Sequence, residues 1–172
     1  MYAIREASPE NVHAVAALLR EYMLETYDDE WRGTVDGLLQ DGFGARFRAL
    51  IAVLADEAVG LLAWEKSYDL HHCLSGGHIL DLYVARRHRA RGIAVQLIAT
   101  TAGVIHSEGG AFIKGGAVDS GTGSRLYGRF APAFGNDYIL GGKAFRHLAA
   151  QSCLPVRKLA RSMPRREWNF EP

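Results

Sequence analysis

Cysteine is nearly absent from this chain of 172 residues: Cys73 and Cys153 stand eighty positions apart. Two such residues make no disulfide framework and suit a reducing compartment, so the expected location is the cytoplasm. Proline is scarce, and no apolar run approaches the roughly 18 residues a membrane span requires. Charge of one sign is missing too. Twenty Lys+Arg against 19 Asp+Glu leave a net charge of +1, which argues against a nucleic-acid binder held by electrostatics. The opening Met-Tyr-Ala-Ile-Arg-Glu lacks the basic and apolar regions of a signal peptide. There is no internal repeat and no low-complexity segment. The length fits one domain that buries about two-thirds of its unfolded surface, with neither disulfide nor metal needed to hold it. Glycine is the residue in excess: of 19, fourteen fall between Gly76 and Gly142.

Hydropathy patterning gives the order of elements. Tyr2 to Glu6 alternates as a short strand. Ser8-Pro9-Glu10 reads as a helix start, with Ser8 accepting from a free N–H and Pro9 at the first helical position. Val12, Val15, Ala16, Leu19, Tyr22 and Met23 recur at helical spacing. From Glu25 to Asp41, six acidic residues oppose a single Arg32; this reads as a loop, then a short helix near Val35 to Gln40 ended by Gly42 and Gly44. Arg48 to Ala55 and Ala58 to Lys66 form a hairpin about Asp56-Glu57. Tyr68 to Gly77 reads as loop, His78 to Val84 as strand, and Gly92 to His106 as helix. Ala111 to Val118 is a strand weakened by Gly115-Gly116. Ser120 to Phe130 is helical, Tyr138 to Leu140 a strand, and Lys143 to Gln151 an amphipathic helix before a basic tail from Pro155. The pattern predicts an α/β chain of the α+β type: a mixed, mostly antiparallel sheet with helices on both faces.

Between the strand ending at Val84 and the helix starting near Gly92 lie Arg86, Arg87, His88, Arg89 and Arg91. A helix N-terminus presents unpaired N–H groups and a partial positive charge. Gly92 and Ala94 allow close approach to the backbone, and flanking arginines add charge. Two readings stand: a cradle for a pyrophosphate, or a solvated basic turn.

At these residues the chain resembles the GNAT family of N-acetyltransferases. The family's loop pattern Gln/Arg-x-x-Gly-x-Gly/Ala is met by Arg89-Ala90-Arg91-Gly92-Ile93-Ala94, after the strand Leu80–Val84 and before an apolar helix. A stretch that usually reads Asn-x-x-Ala/Ser-x-x-Leu-Tyr has its counterpart at the right distance in Ser120 to Tyr127, ending in Ser124-Arg125-Leu126-Tyr127, with Ser120 where Asn is usual. The resemblance covers the order of elements up to about Leu140. It implies an acyl-CoA N-acyltransferase fold with acetyl-CoA as acyl donor and no metal. The backbone of Leu82, Tyr83 and Val84 would pair with the pantetheine arm, with the Leu82 amide facing the thioester oxygen. The N–H groups of Arg91, Gly92, Ile93, Ala94 and Val95, in the loop opened by Arg89 and Ala90, would hold the pyrophosphate. Ser120 and Ser124 fall at further cofactor positions. Ala90 replaces a common glycine, which an ordinary loop backbone tolerates. The strands His78–Val84 and Ala111–Val118 would splay to admit the cofactor.

By the same resemblance Tyr127 would protonate the departing thiolate; a phenol suits this, with an ordinary pKa of about 10 against about 8.5 for a thiol. It also fits a core position on an amphipathic helix. An acceptor arriving as ammonium must lose a proton. His78 is one candidate base, because imidazole titrates near neutrality. Asp81 is another, on the opposite face of its strand, and Glu65 or the acidic loop could act through water.

The acidic stretch with Tyr27, Asp28, Asp29, Glu30 and Trp31 predicts a cationic amine acceptor, either a small molecule such as a polyamine or amino-sugar, or a protein lysine. Expected partners are that amine and, in the basic tail, a second copy as homodimer; neither nucleic acid nor membrane is expected. A non-catalytic acyl-CoA sensor and an enzyme using another acyl-CoA donor are the alternatives. The single domain 1–172 divides into an acceptor-side half (1–77), a cofactor-binding core (78–130) and a variable C-terminal part (131–172). Gly121-x-Gly123 lacks the third glycine of a dinucleotide site. His71-His72-Cys73 with His78 has no second cluster to complete a metal site.

Overall fold

The computed structural model describes residues 2–117, 122–128, 131–134, 137–155 and 157–159. Among the described residues, seven strands and five α-helices follow the order β1 (Ala3–Glu6), α1 (Val12–Tyr27), α2 (Val35–Asp41), β2 (Arg48–Leu54), β3 (Glu57–Asp69), β4 (Leu74–Val84), α3 (Ile93–Ser107), β5 (Phe112–Gly116), α4 (Thr122–Tyr127), β6 (Ala133–Phe134), β7 (Asp137–Gly141) and α5 (Gly142–Ala150). The hydrogen-bonded strand order is β1-β2-β3-β4-β5-β7-β6. β4 and β5 run parallel, while the β1–β2, β2–β3, β5–β7 and β6–β7 pairs are antiparallel, which is the mixed sheet the sequence predicts. No described helix is long and apolar enough to cross a membrane.

Several boundaries depart from the sequence reading. Ser8 precedes a single 3-10 turn over Pro9–Asn11. Ser8 and Asn11 form a capping box at its start, with the Asn11 side chain accepting from the Ser8 N–H at 3.3 Å. The first α-helix runs on through Glu25 to Tyr27 and stops where Asp28 turns left-handed (φ 52°), a conformation Asp tolerates better than most side chains. The hairpin turn is Ala55-Asp56, one residue earlier than predicted, with φ 47° and 68°. Two successive positive φ values match the right-handed twist of the flanking strands. Most of Tyr68–Gly77 is strand rather than loop, since β3 reaches Asp69 and β4 starts at Leu74. The carboxylate of Asp69 makes the tight reversal possible, accepting from the His71 and His72 amides at 2.8 and 3.3 Å. The predicted ends of the Ser120–Phe130 helix and the tail from 160 onward lie outside the described residues.

The chain folds as two compact units, 1–65 with 80–97, and 66–79 with 98–172. In the first, Val15 and Leu18 of α1 pack on Ala49, Ile51 and Val53 of β2, on Leu61 and Ala63 of β3, and on Tyr83. These strand positions are odd-numbered, so one sheet face receives α1. On the other face, a Cβ at Gly60 would lie 3.4 Å from the Ala52 and Ile93 side chains, so the start of α3 covers it. Helices thus flank both faces of this unit.

In the second unit, Phe112, Ile113, Leu140, Phe145 and Leu148 are buried, and the His106 and Phe145 rings meet edge to face at 5.9 Å. Here glycine has a steric job. A Cβ on Gly76 would sit 2.6 Å from both the Phe112 ring and the Phe112 carbonyl oxygen. A Cβ on Gly103 would lie 3.0 Å from the Ser152 hydroxyl and 3.3 Å from its Cβ, with the Ala149 carbonyl oxygen farther off at 3.8 Å. Replacing Gly76 by Ala is expected to lower stability by about 1–3 kcal/mol through overpacking against backbone. Gly103→Ala stays within about 1 kcal/mol of wild type, because helix propensity offsets the crowding. Urea denaturation of both variants checks the contrast.

Candidate functional site

Eight residues connect β4 to α3, and their backbone is unusual. After a 3-10 turn at Arg86–His88, Arg89 is extended (φ −68°, ψ 169°). Ala90 and Gly92 then take φ of 59° and 81°. Glycine enters that region freely, whereas an alanine is strained there by roughly 1–2 kcal/mol. The loop backbone at position 90 is therefore not ordinary, contrary to the condition under which alanine replaces glycine without consequence. Positive φ at both 90 and 92 belongs to the kind of backbone that gathers N–H groups around an anion. The next residue opens α3, fifteen residues long, whose first N–H groups have no partner within the helix; its first ladder bond runs from the Gln96 N–H to the Gly92 carbonyl at 3.0 Å.

The loop's side chains are mostly engaged with protein. The Arg89 Nε donates to the Val84 carbonyl at 2.8 Å, its NH1 donates to Glu25 at 2.6 Å, and its guanidinium lies 5.5 Å from the Tyr83 ring centre. Arg91 donates to the Tyr2 hydroxyl at 3.0 Å. Arg87 pairs with Glu57 and donates through Nε to the His88 Nε2 at 3.1 Å. That bond makes Nε2 an acceptor, so the neutral His88 ring carries its proton on Nδ1, facing the Tyr2 hydroxyl at 3.3 Å. Ile93 is core, 2% exposed, leaving its N–H as the group it can offer; Ala94 and Val95 are half-buried.

Strand β4 sends its alternate residues to opposite faces. Tyr83 points toward α1: its ring lies 5.6 Å from that of Tyr22, and its hydroxyl donates to Glu25 at 2.9 Å. Burial, then the bond to Glu25, keep the Tyr83 phenol protonated well above its ordinary range. Asp81 shares that face and hydrogen-bonds Tyr22; burial raises its carboxyl despite that bond. Burial, the Tyr27 hydroxyl and Asp81 likewise raise the Tyr22 phenol. The Tyr22 and Tyr27 hydroxyls are 3.3 Å apart, and Tyr27 is 51% exposed, so a file of polar groups leads from Asp81 to the surface. His78, Leu80 and Leu82 occupy the other face by strand alternation. Leu82 and His78 are half-buried, and Leu80 is exposed.

The acidic stretch is less free than its composition suggests. Glu25 is bound to Arg89, Asp29 to Arg32 at 3.2 Å, and Asp41 to Arg46 at 2.8 Å. Trp31 is stacked by Arg20 at 5.4 Å, with Gly33 directly beneath its ring. Asp28 caps α1, and Asp28 and Glu30 are exposed.

In the second unit, β4 and β5 pair over Gly76–His78 against Phe112–Lys114, while β4 itself continues to Val84. Tyr127 ends α4 and is 6% exposed. Ser124 belongs to α4, its side chain outside the described residues, and Ser120 lies outside them altogether. Sequence reasoning missed the Glu25, Tyr2 and Tyr22 partners of the site. Only the placement of the two tyrosines in segments with an apolar face hinted that their hydroxyls need partners.

Residues 12–117 match the family described as Acetyltransferase (GNAT). No curated protein sequence matches the chain. Among solved structures, the ribosomal-protein-alanine N-acetyltransferase of Brucella melitensis biovar Abortus 2308 is 25% identical. It covers 78% of this chain and 94% of its own, with a TM-score of 0.67. An aminoglycoside acetyltransferase from an uncultured soil metagenomic sample is 29% identical over 72% of this chain and 83% of its own, with a TM-score of 0.55. The PaiA N-acetyltransferase of Thermoplasma acidophilum, solved with coenzyme A, shares the fold at 16% identity and a TM-score of 0.61, over 81% of this chain and 96% of its own. With a family match across well over half of its residues and this loop at the mouth of α3, the chain belongs to the GNAT family of acetyltransferases.

Proposed function

We propose that the protein transfers the acetyl group of acetyl-CoA to a primary amine, by direct attack of the amine within a ternary complex. The observation that carries this reading is the backbone of the β4–α3 loop, with positive φ at Ala90 and Gly92 immediately before a fifteen-residue helix. Such a loop fits a pyrophosphate. A side chain at position 92 would be strained, and the free N–H groups from Arg91 to Val95 need an acceptor. Leu82 and Val84 of β4 are assigned to the pantetheine arm on the strength of the family match. Acetyl-CoA supplies the activated thioester. The Leu82 N–H is assigned to the thioester oxygen, where one well-placed donor can contribute about 3 kcal/mol. Tyr127 is assigned to proton delivery to the departing sulfur. Proton removal from the ammonium falls to Asp81 or His78, and burial favours Asp81 by moving its carboxyl toward neutrality.

The acceptor is a cationic amine, either a small molecule such as an amino-sugar or polyamine, or a lysine side chain. Exposed Asp28, Glu30 and Tyr27, together with Asp29 and Trp31, support that assignment, and so does the amine chemistry named for the aminoglycoside acetyltransferase relative. The cytoplasm, where acetyl-CoA is made and used, is the proposed site of action.

A thiol-release assay with acetyl-CoA over a panel of amines tests the reading. Turnover with at least one cationic amine is expected; tight CoA binding with no turnover would instead mark a sensor. Gly92→Val should weaken CoA binding by about tenfold or more, measured by calorimetry, because it both strains the loop and fills the approach to its N–H groups.

Tyr127→Phe is expected to lower kcat by about 10²-fold with little change in the KM for acetyl-CoA, the loss typical of a missing general acid. For Asp81 the sign follows from its raised carboxyl. A carboxyl that binds its proton more tightly when folded loses stability as pH rises from its unfolded value through its folded one. Asp81→Asn should therefore raise Tm at pH 7 while abolishing turnover. The gain in Tm should shrink as pH falls through the raised folded value and vanish below the ordinary carboxylate value of about 4. If turnover survives that change and fails in His78→Gln, the base is His78.

A further inference from the structure

Arg89 opens the loop motif, yet its guanidinium faces inward across the loop's base. One side chain ties Val84, the last residue of β4, to the start of the motif five residues later, through Nε on the Val84 carbonyl at 2.8 Å. What holds that side chain in place is on another element. Glu25, in the last turn of α1, accepts from the Arg89 NH1 at 2.6 Å with one carboxylate oxygen and from the Tyr83 hydroxyl at 2.9 Å with the other. Both partners of the ion pair are two-thirds withdrawn from solvent, at 34% and 30% side-chain exposure. Tyr83 closes the triangle by placing its ring 5.5 Å from the guanidinium.

We propose that Glu25 is a positioning residue for the β4–α3 loop, fixing Arg89 against Val84 so that the backbone N–H groups beyond it are held ready for the phosphates of the CoA ligand. The inference rests on the reading of that loop as the pyrophosphate site. Glu25 withdraws the Arg89 charge from direct anion binding and uses it as a brace. The backbone N–H groups and the helix N-terminus remain to meet the ligand. Burial works upward on the Glu25 carboxyl, but the Arg89 and Tyr83 hydrogen bonds and the Arg89 and Arg86 charges outweigh it, so the brace is ionised at neutral pH. The strain at Ala90 gives the brace something to resist, since an alanine at φ 59° relaxes once its flanks are released.

The test is a double-mutant cycle read by calorimetric titration with CoA and by thermal denaturation of the same samples. Glu25→Gln keeps the size of the side chain and removes its charge. It is expected to weaken CoA binding by about tenfold, within the usual range for a coupled charged pair. In an Arg89→Gln background the same change should have no further effect. Tyr83→Phe, which leaves the ion pair in place, should weaken binding by a smaller factor in the same direction. A purely structural role would lower Tm without moving CoA affinity in the folded protein, and that result overturns the proposal. So does tighter CoA binding in Glu25→Gln, which would mean that a released Arg89 grips the phosphates itself. If wild type binds CoA and the Glu25→Gln affinity is unchanged, the positioning role falls while the loop assignment stands. If wild type does not bind CoA, both fall together.

Discussion

The reversal of the chain between β4 and α3 depends on one arginine side chain laid across the base of the loop. Two residues of the turn take positive φ, and one of them is an alanine. Left to itself this segment would relax toward a more ordinary turn. It is held by contacts at both ends: Arg89 reaches back to Val84 and across to Glu25, while Arg91, Tyr2 and His88 form a chain on the outer side. Each partly exposed pair contributes little alone, on the order of 0–1 kcal/mol. Joined through shared groups, they restrict the loop more than their separate energies suggest.

This arrangement changes the electrostatic reading of the loop. Four arginines and a histidine in sequence suggest a site that binds anions by charge. In the structure, Arg87 and Arg89 are paired with carboxylates, His88 accepts from Arg87, and Arg91 is bonded to a phenol. Much of the positive charge is therefore already compensated or directed at protein. What remains for a phosphate is a set of backbone N–H groups and the helix N-terminus, whose geometry does not depend on flexible side chains. Recognition of that kind requires little reorganisation when the ligand arrives.

Periodicity made most of the architecture legible. Helical spacing in Val12–Met23 and in Ile93–Ile105, and the apolar runs of β2 and β3, are local properties, and the structure has elements at each of these places. What could not be read were pairings between residues far apart in the chain. Glu25 counted as one of six acidic residues facing a lone Arg32, but its partners are Arg89 and Tyr83, 64 and 58 positions away. Asp41 turned out to belong to Arg46 in the next loop. The strand ends around Asp69 and Leu74 were hidden for a different reason. Leu70, His71, His72 and Cys73 make a four-residue turn there, and the polar residues in and beside it spread the apparent loop into the flanking strands. The loop motif itself was legible, but its residue types suggested charge where the structure uses conformation.

Strand β4 explains why the two candidate bases are not equivalent. Alternation sends Asp81 and Tyr83 into the polar layer beneath α1 and His78 to the opposite face, so a single element serves two environments. The α1 side is costly to maintain: Tyr22, Tyr83 and Asp81 are drawn from water, and burial disfavours the ionised form of each. A leucine or phenylalanine at position 81 could pack beneath α1 without a desolvated carboxyl. Retaining Asp81 there costs stability, and the file of hydroxyls through Tyr22 to exposed Tyr27 gives its proton a route to solvent. A group used only for packing would need neither the raised carboxyl nor the route. For the proton acceptor proposed above, that combination favours Asp81 over His78.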